Sequence, residues 1–205
     1  MILILSGGIG SGKSVAAGML NEMYGFPVYC ADKRVKELYE EHPTLLCDIE
    51  KELGCDLRDE YGLFMPAALA RKIFSDGEAL NKVEALVFPA LKEDLEKWMN
   101  EHPAKVHILE SATILEKEYF KGFGDFALVI TAPFELRVRR AIERDSSSEE
   151  LIRARVEKQK LMNSLDLLGQ FCSIPFEVWE NAGTTDELRS TLSKFVENKG
   201  LTKML

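Results

Sequence analysis

Residues Gly7 to Ser14 read GGIGSGKS and satisfy the spacing G-x-x-x-x-G-K-S through Gly7, Gly12, Lys13 and Ser14. The chemistry open to such a stretch is the binding of a polyphosphate. Glycines let successive backbone N–H groups turn inward onto phosphate oxygens with no Cβ in the way. A lysine at this spacing reaches the β and γ phosphates, and the serine hydroxyl is a ligand for Mg²⁺. We therefore expect Gly8, Ile9, Gly10, Ser11, Gly12, Lys13, Ser14 and Val15 to contact nucleotide, Lys13 to act in catalysis and Ser14 to hold a metal. ATP and Mg²⁺ are the implied cofactors.

Switches, motors, pumps and small-molecule kinases all use such a loop, so other residues must choose among them. Val106-His107-Ile108-Leu109-Glu110 is a mostly apolar run ending in an acid, which places Glu110 to hold Mg²⁺ through water. Asp32 follows a short apolar run and is the candidate general base for an acceptor hydroxyl, since in-line transfer needs an oriented nucleophile whose proton can leave. The same aspartate suits a helix N-cap, and the two roles are compatible. Asp59-Glu60-Tyr61-Gly62 matches the D-x-x-G of a GTPase only in a helical context away from any strand, and Asn81-Lys82-Val83-Glu84 ends in the wrong acid for a guanine reader.

The elements that must position these groups follow from hydrophobic periodicity. Ile2 to Leu5 is a continuous apolar run, as in a strand buried on both faces of a parallel sheet. The spacing predicts a helix from Ser14 to Met23, a second strand over Pro27 to Cys30, and strands at Val106 to Leu109, Phe126 to Ile130 and Phe176 to Trp179. Between Asp32 and about Met99 the patterns are helical and strands vanish. The fold class is α/β: a P-loop NTPase-type parallel sheet flanked by helices, with a helical insert and a helical lid. The core covers about 1–31, 100–136 and 170–205, the acceptor-binding insert about 32–99, and the lid about 137–168.

In the lid, helices over Phe134 to Arg144 and Leu151 to Leu168 flank the Ser-rich turn Asp145 to Glu150. They carry Arg137, Arg139, Arg140, Arg144, Arg153, Arg155, Lys158 and Lys160. A mobile cover over polyphosphate needs such arginines. A solvated hairpin with interleaved acids would carry them equally well.

Bulk properties narrow the classes further. The chain has 205 residues, 46% of them hydrophobic, enough for one domain with an insert. A net charge of −8 argues against a general nucleic-acid binder. The four cysteines form no C-x-x-C pair and no histidine stands at ligand spacing, so reduced thiols are expected rather than a zinc site. No apolar run approaches the ~20 residues of a membrane helix. A soluble cytoplasmic protein with a small-molecule partner is expected.

These residues together resemble the dephospho-coenzyme A kinase family. The opening SGGIGSGKS is similar to that family's TGGIGSGKS. Ala31-Asp32 resembles its D-A-D motif, with Cys30 in place of the first aspartate and Asp32 matching the second, which implies a catalytic base at Asp32. Ile108 to Glu116 resembles the segment ending P-L-L-F-E, with Glu110 as its leading acid and Glu116 as its last. Arg140, Arg144 and Asp145 fit R-x-x-x-R-D, Arg155 to Gln159 fits R-x-x-x-Q, and Asn181-Ala182-Gly183 resembles an N-x-G turn beside the adenine. Phe88 stands where the family has a histidine before proline, and Phe176 where it has an aspartate. The resemblance implies nucleotide contacts from Arg140, Arg144, Asn181 and Gly183, with Arg140 acting in catalysis. It implies transfer of phosphate from ATP to the ribose 3′-hydroxyl of dephospho-CoA, with Lys33, Arg34, Arg71 and Lys72 either near the acceptor pyrophosphate or on a solvated face. Another small-molecule or nucleotide kinase, or a nucleotide-binding regulator without transfer chemistry, uses the same loop and stays open at this point.

Overall fold

The computed structural model describes residues 1–145, 147–157, 159, 166 and 168–201; Lys158 and Lys160, expected on the second lid helix, lie outside them. The chain forms two compact units, one of Met1–Cys30 with the chain from Pro103 on, the other Ala31–His102. No helix among the described residues is long and apolar enough to cross a membrane.

The first unit is built on a parallel sheet of β1 (Ile2–Gly7), β2 (Val28–Cys30), β3 (His107–Ser111), β4 (Phe126–Thr131) and β5 (Phe176–Glu180), in the order β2-β3-β1-β4-β5. The three central strands are mostly apolar and buried along nearly their whole length, because both of their faces are covered. Leu3 and Leu5 of β1 enter a core with Ala16 and Leu20 of α1 (Lys13–Tyr24) and Leu192 and Phe195 of α9 (Thr185–Asn198). At the edge, β5 alternates instead, and Phe176 and Val178 are partly exposed. Helices α6 (Phe134–Asp145), α7 (Glu149–Glu157) and the short α8 (Leu168–Phe171) also belong to this unit. Thr184 and Glu187 form a capping box that starts α9.

The order matters for function. From β1 the chain crosses to β2 and β3 on one side, then to β4 and β5 on the other. The carboxyl end of β1 is therefore the point at which the winding reverses, and a crevice opens there in doubly wound sheets. The glycine loop occupies that point.

The second unit packs α2 (Ala31–Glu41), α3 (Leu45–Leu53), α4 (Pro66–Ser75) and α5 (Gly77–Glu101). Arg34 of α2 grips Asp94 of α5 with two parallel hydrogen bonds of 2.8 Å and also bonds Glu37 and Glu41. That guanidinium joins two helices of the second unit. Asp32 lies in the first turn of α2 rather than at its cap. The helix starts at Ala31, directly after the last residue of β2, so no residue is left between strand and helix for Asp32 to cap from. The insert is also not wholly free of extended structure, because Arg58 and Phe64 form an antiparallel bridge. The match to D-x-x-G is the turn of that hairpin: the Asp59 carboxylate accepts from the N–H groups of Tyr61 and Leu63, each at 2.9 Å.

Asp76 caps the long α5 by accepting from Glu78 and Ala79 N–H groups at 2.9 and 3.2 Å. Replacing Asp76 by Ala should lower stability by about 1 kcal/mol. Urea unfolding checks this, and an unchanged midpoint would assign the start of α5 to packing alone.

Candidate active site

The glycine loop leaves β1 at Gly7 and becomes α1 at Lys13. Two of its glycines are required by the backbone and by close neighbours at once. Gly10 has φ +75°, and a Cβ there would run into the backbone carbonyl of Arg137 on α6. Gly12 has φ +95°, and a Cβ there would meet the Asn181 side-chain amide. Both conformations are left-handed, where an L side chain is strained. Beyond Gly12, the first N–H groups of α1 have no partner within the helix and face the cleft with its positive dipole end.

The two residues expected to hold a metal meet. Ser14 Oγ donates to Glu110 Oε1 at 2.5 Å, and Lys13 Nζ lies 3.6 Å from the same oxygen. Glu110 is 6% exposed at the carboxyl end of β3, paired in register with Leu5 of β1 on one side and Cys30 of β2 on the other. A carboxylate so buried needs a cationic or hydrogen-bonding partner, and it has both. Hard oxygen donors of this kind suit Mg²⁺, which takes one or two protein ligands and completes its shell with phosphate and water. No cluster of three or more His, Cys, Asp or Glu residues forms a cage for a metal among the described residues.

A cleft of about 510 Å³ opens over this group. Gly8, Gly10, Gly12, Lys13, Ser14 and Val15 form one wall, Arg140 and Arg144 of α6 another, and Asn181 and Gly183 the turn after β5. Arg140 donates from Nη1 to the Asn181 carbonyl at 2.9 Å. Burial pushes its guanidinium below the usual arginine value and Arg139 adds repulsion, yet it stays cationic. Arg144 pairs with its neighbour Asp145, and Arg155 of α7 reaches the same carboxylate, whose pKa the Arg144 hydrogen bond holds down. Arg153 is bound instead by Glu135 and Glu149. The arginine-rich pair therefore divides: Arg140 and Arg144 face the cleft, and Arg153 laces a solvated face.

Comparison with known proteins bears on the reaction class. The family profile for dephospho-CoA kinase matches residues 1–165. The chain belongs to the dephospho-CoA kinase family. The dephospho-CoA kinase of Porphyromonas gingivalis is 36% identical over 165 residues, covering 80% of each chain. A crystal structure from Thermus thermophilus superposes with a TM-score of 0.78 at 29% identity over 97% of both chains. The dephospho-CoA kinase structure from Campylobacter jejuni, at 22% identity, shares the fold with a TM-score of 0.63 over 98% of both chains. Members of this family are phosphotransferases, and the sheet with its loop is the kinase scaffold expected from the sequence.

Several residues are placed differently from expectation. Ile9 and Ser11 do not line the cleft. The Ile9 side chain packs against the cluster of Val138, Ala141, Ile152 and Val156 between α6 and α7, and Ser11 is fully buried, with its N–H bonded to Gly8. Asn181, expected beside the adenine, turns its side chain to the loop and donates to the Ser11 carbonyl at 2.9 Å. Arg137, counted with the lid, is 4% exposed, and α6 and α7 are tied to the loop through it rather than standing free of it. A signal for this existed: Arg137 falls between Phe134 and Ala141 on the helix face that also carries Val138. Asp32 and Glu116, the latter in a 3-10 turn Ile114–Glu116, keep their sequence positions beside β2 and β3.

Gly10→Ala and Gly12→Ala should each weaken nucleotide binding at least about tenfold, since left-handed strain alone costs about 1–3 kcal/mol before the collisions are counted. Calorimetric titration with ADP measures this, and circular dichroism should show the fold retained.

Proposed function

We propose that the chain is an ATP-dependent kinase that phosphorylates the ribose 3′-hydroxyl of dephospho-CoA, giving CoA and ADP in the last step of coenzyme A synthesis. The observation that carries this reading is the meeting of Ser14, Glu110 and Lys13 on a phosphate loop at the switch point of the sheet, in a chain of this family.

Each residue then has a defined task. The N–H groups at the start of α1 take phosphate oxygens, aided by the positive end of that helix. Lys13 leaves Glu110 for the β and γ phosphates. Ser14 and Glu110 would hold Mg²⁺, which when bound would supply positive charge to the phosphates. Arg140, held by the Asn181 carbonyl, stabilises the charge that develops on the transferring group, and Arg144 can join it after releasing Asp145. Asp32 orients the 3′-hydroxyl and takes its proton as the new O–P bond forms and ADP departs. The turn Asn181 to Gly183 bounds the nucleotide end of the cleft.

ADP release should require both dephospho-CoA and Mg²⁺ and stop on addition of EDTA. Faster turnover with a nucleoside monophosphate in an acceptor panel would overturn the acceptor. Tight ATP binding with no turnover on any acceptor would make the chain a regulator. Asp32→Asn should leave ATP affinity nearly unchanged while kcat falls ~10²-fold or more. A normal rate in that variant would remove Asp32 from the chemistry.

A further inference from the structure

Ile9 stands at the apex of the phosphate loop, and both polar groups of its backbone are taken by side chains from outside the loop. Its N–H donates to Gln159 Oε1 at 2.8 Å, and its carbonyl accepts from Arg137 Nε at 3.0 Å. The two side chains also bond each other, Arg137 Nη2 donating to Gln159 Oε1 at 2.7 Å. We infer that Arg137 and Gln159 are positioning residues that set the direction of two peptide planes in the loop, aiming the Gly10 N–H at the β phosphate and the Gly8 carbonyl at the Ser11 N–H. This rests on the reading that the loop takes the phosphates of a nucleotide.

The geometry of the trans peptide carries the argument. In such a unit the carbonyl and the N–H point opposite ways. The Ile9 carbonyl and the Gly10 N–H share one plane. Arg137, which lies outside the cleft lining, draws that carbonyl away from the cleft, so the Gly10 N–H points toward the cleft that Gly10 lines. The Gly8 carbonyl and the Ile9 N–H share the preceding plane. Gln159 draws that N–H outward, and the Gly8 carbonyl turns into the loop, where it accepts from the Ser11 N–H at 3.1 Å. Without the Arg137 hold, the Ile9–Gly10 peptide can flip and present the Ile9 carbonyl to the phosphate, replacing attraction by repulsion; without the Gln159 hold, the Gly8–Ile9 peptide can turn and break the Gly8–Ser11 hydrogen bond that closes the loop.

The composition of the clamp supports a role beyond packing. Arg137 has no carboxylate partner among the described residues, and burial acts unopposed to push its guanidinium below the ordinary arginine value. Burying a charge against neutral oxygens costs stability, and an apolar side chain would fill the same space without that cost. Only a forked, planar donor serves the Ile9 carbonyl and the Gln159 amide together. Arg140 lies one turn further along α6 and faces the cleft, so the clamp also holds the loop and Arg140 in one frame.

The test is calorimetric titration of the full chain with ADP and with AMP, which lacks the β phosphate, together with thermal unfolding without ligand. Arg137→Met and Gln159→Leu should each weaken ADP binding about tenfold or more, the loss expected for a hydrogen bond involving a charged group, while AMP affinity changes less than about twofold. Arg137→Lys should not restore ADP affinity, and the double variant should lose little more than either single one. Either single variant suffices if the other does not fold. Parallel losses for ADP and AMP, or unchanged ADP affinity in both variants, would overturn the inference. Failure of the unaltered chain to bind ADP would overturn the nucleotide reading itself.

Discussion

Backbone N–H groups that converge on one point repel one another, and a phosphate loop must keep them convergent even when no anion is present. In this chain that constraint is met by neighbours on three sides. Asn181 at the end of β5 holds the Ser11 carbonyl, Arg137 and Gln159 hold Ile9, and Glu110 of β3 holds Ser14 and Lys13. The glycines serve this arrangement as much as they serve the ligand. Gly10 and Gly12 are pressed against the α6 backbone and the Asn181 amide so closely that a methyl group would displace what holds the loop.

The electrostatics of the cleft follow from the same packing. The chain is acidic overall, with a net charge of −8, yet Lys13, Arg140 and Arg144 gather at one end of the sheet. Glu110 balances Lys13, and Asp145 balances Arg144 and Arg155. A polyphosphate entering the cleft would compete with carboxylates for cations already directed toward it. Arg140 differs in being held by a carbonyl rather than an acid, so its charge is open to the incoming group.

The second unit shows how differently charged residues are used away from the loop. Arg34 is bound by Asp94, Glu37 and Glu41, and Asp59 is consumed by its own hairpin turn. These groups build helices and turns, and their residue types alone would have suggested ligand binding or a nucleotide switch. What separates the two uses is place: Lys13 and Arg144 are also paired with carboxylates but line the cleft, whereas Arg34 and Asp59 do not.

Much of the fold was legible because its signals are local. Strands with both faces covered read as apolar runs, and β1, β3 and β4 appear within a residue or two of expectation. The helices of the insert follow their apolar period, from Leu45 to Leu53 and from Gly77 to Glu101. The loop was legible because only particular residue types at fixed spacing can bind phosphate through the backbone. Sequence by itself thus determined the donor chemistry, the α/β class and the family. It did not determine which way Ile9, Ser11 and Asn181 face, that Arg137 is buried, or that Ser14 and Glu110 touch. Those contacts join residues up to 170 positions apart, as in the bond from Asn181 to Ser11. No local pattern records such a pairing; only the order of strands in the sheet and the packing of α6 on the loop bring the partners together.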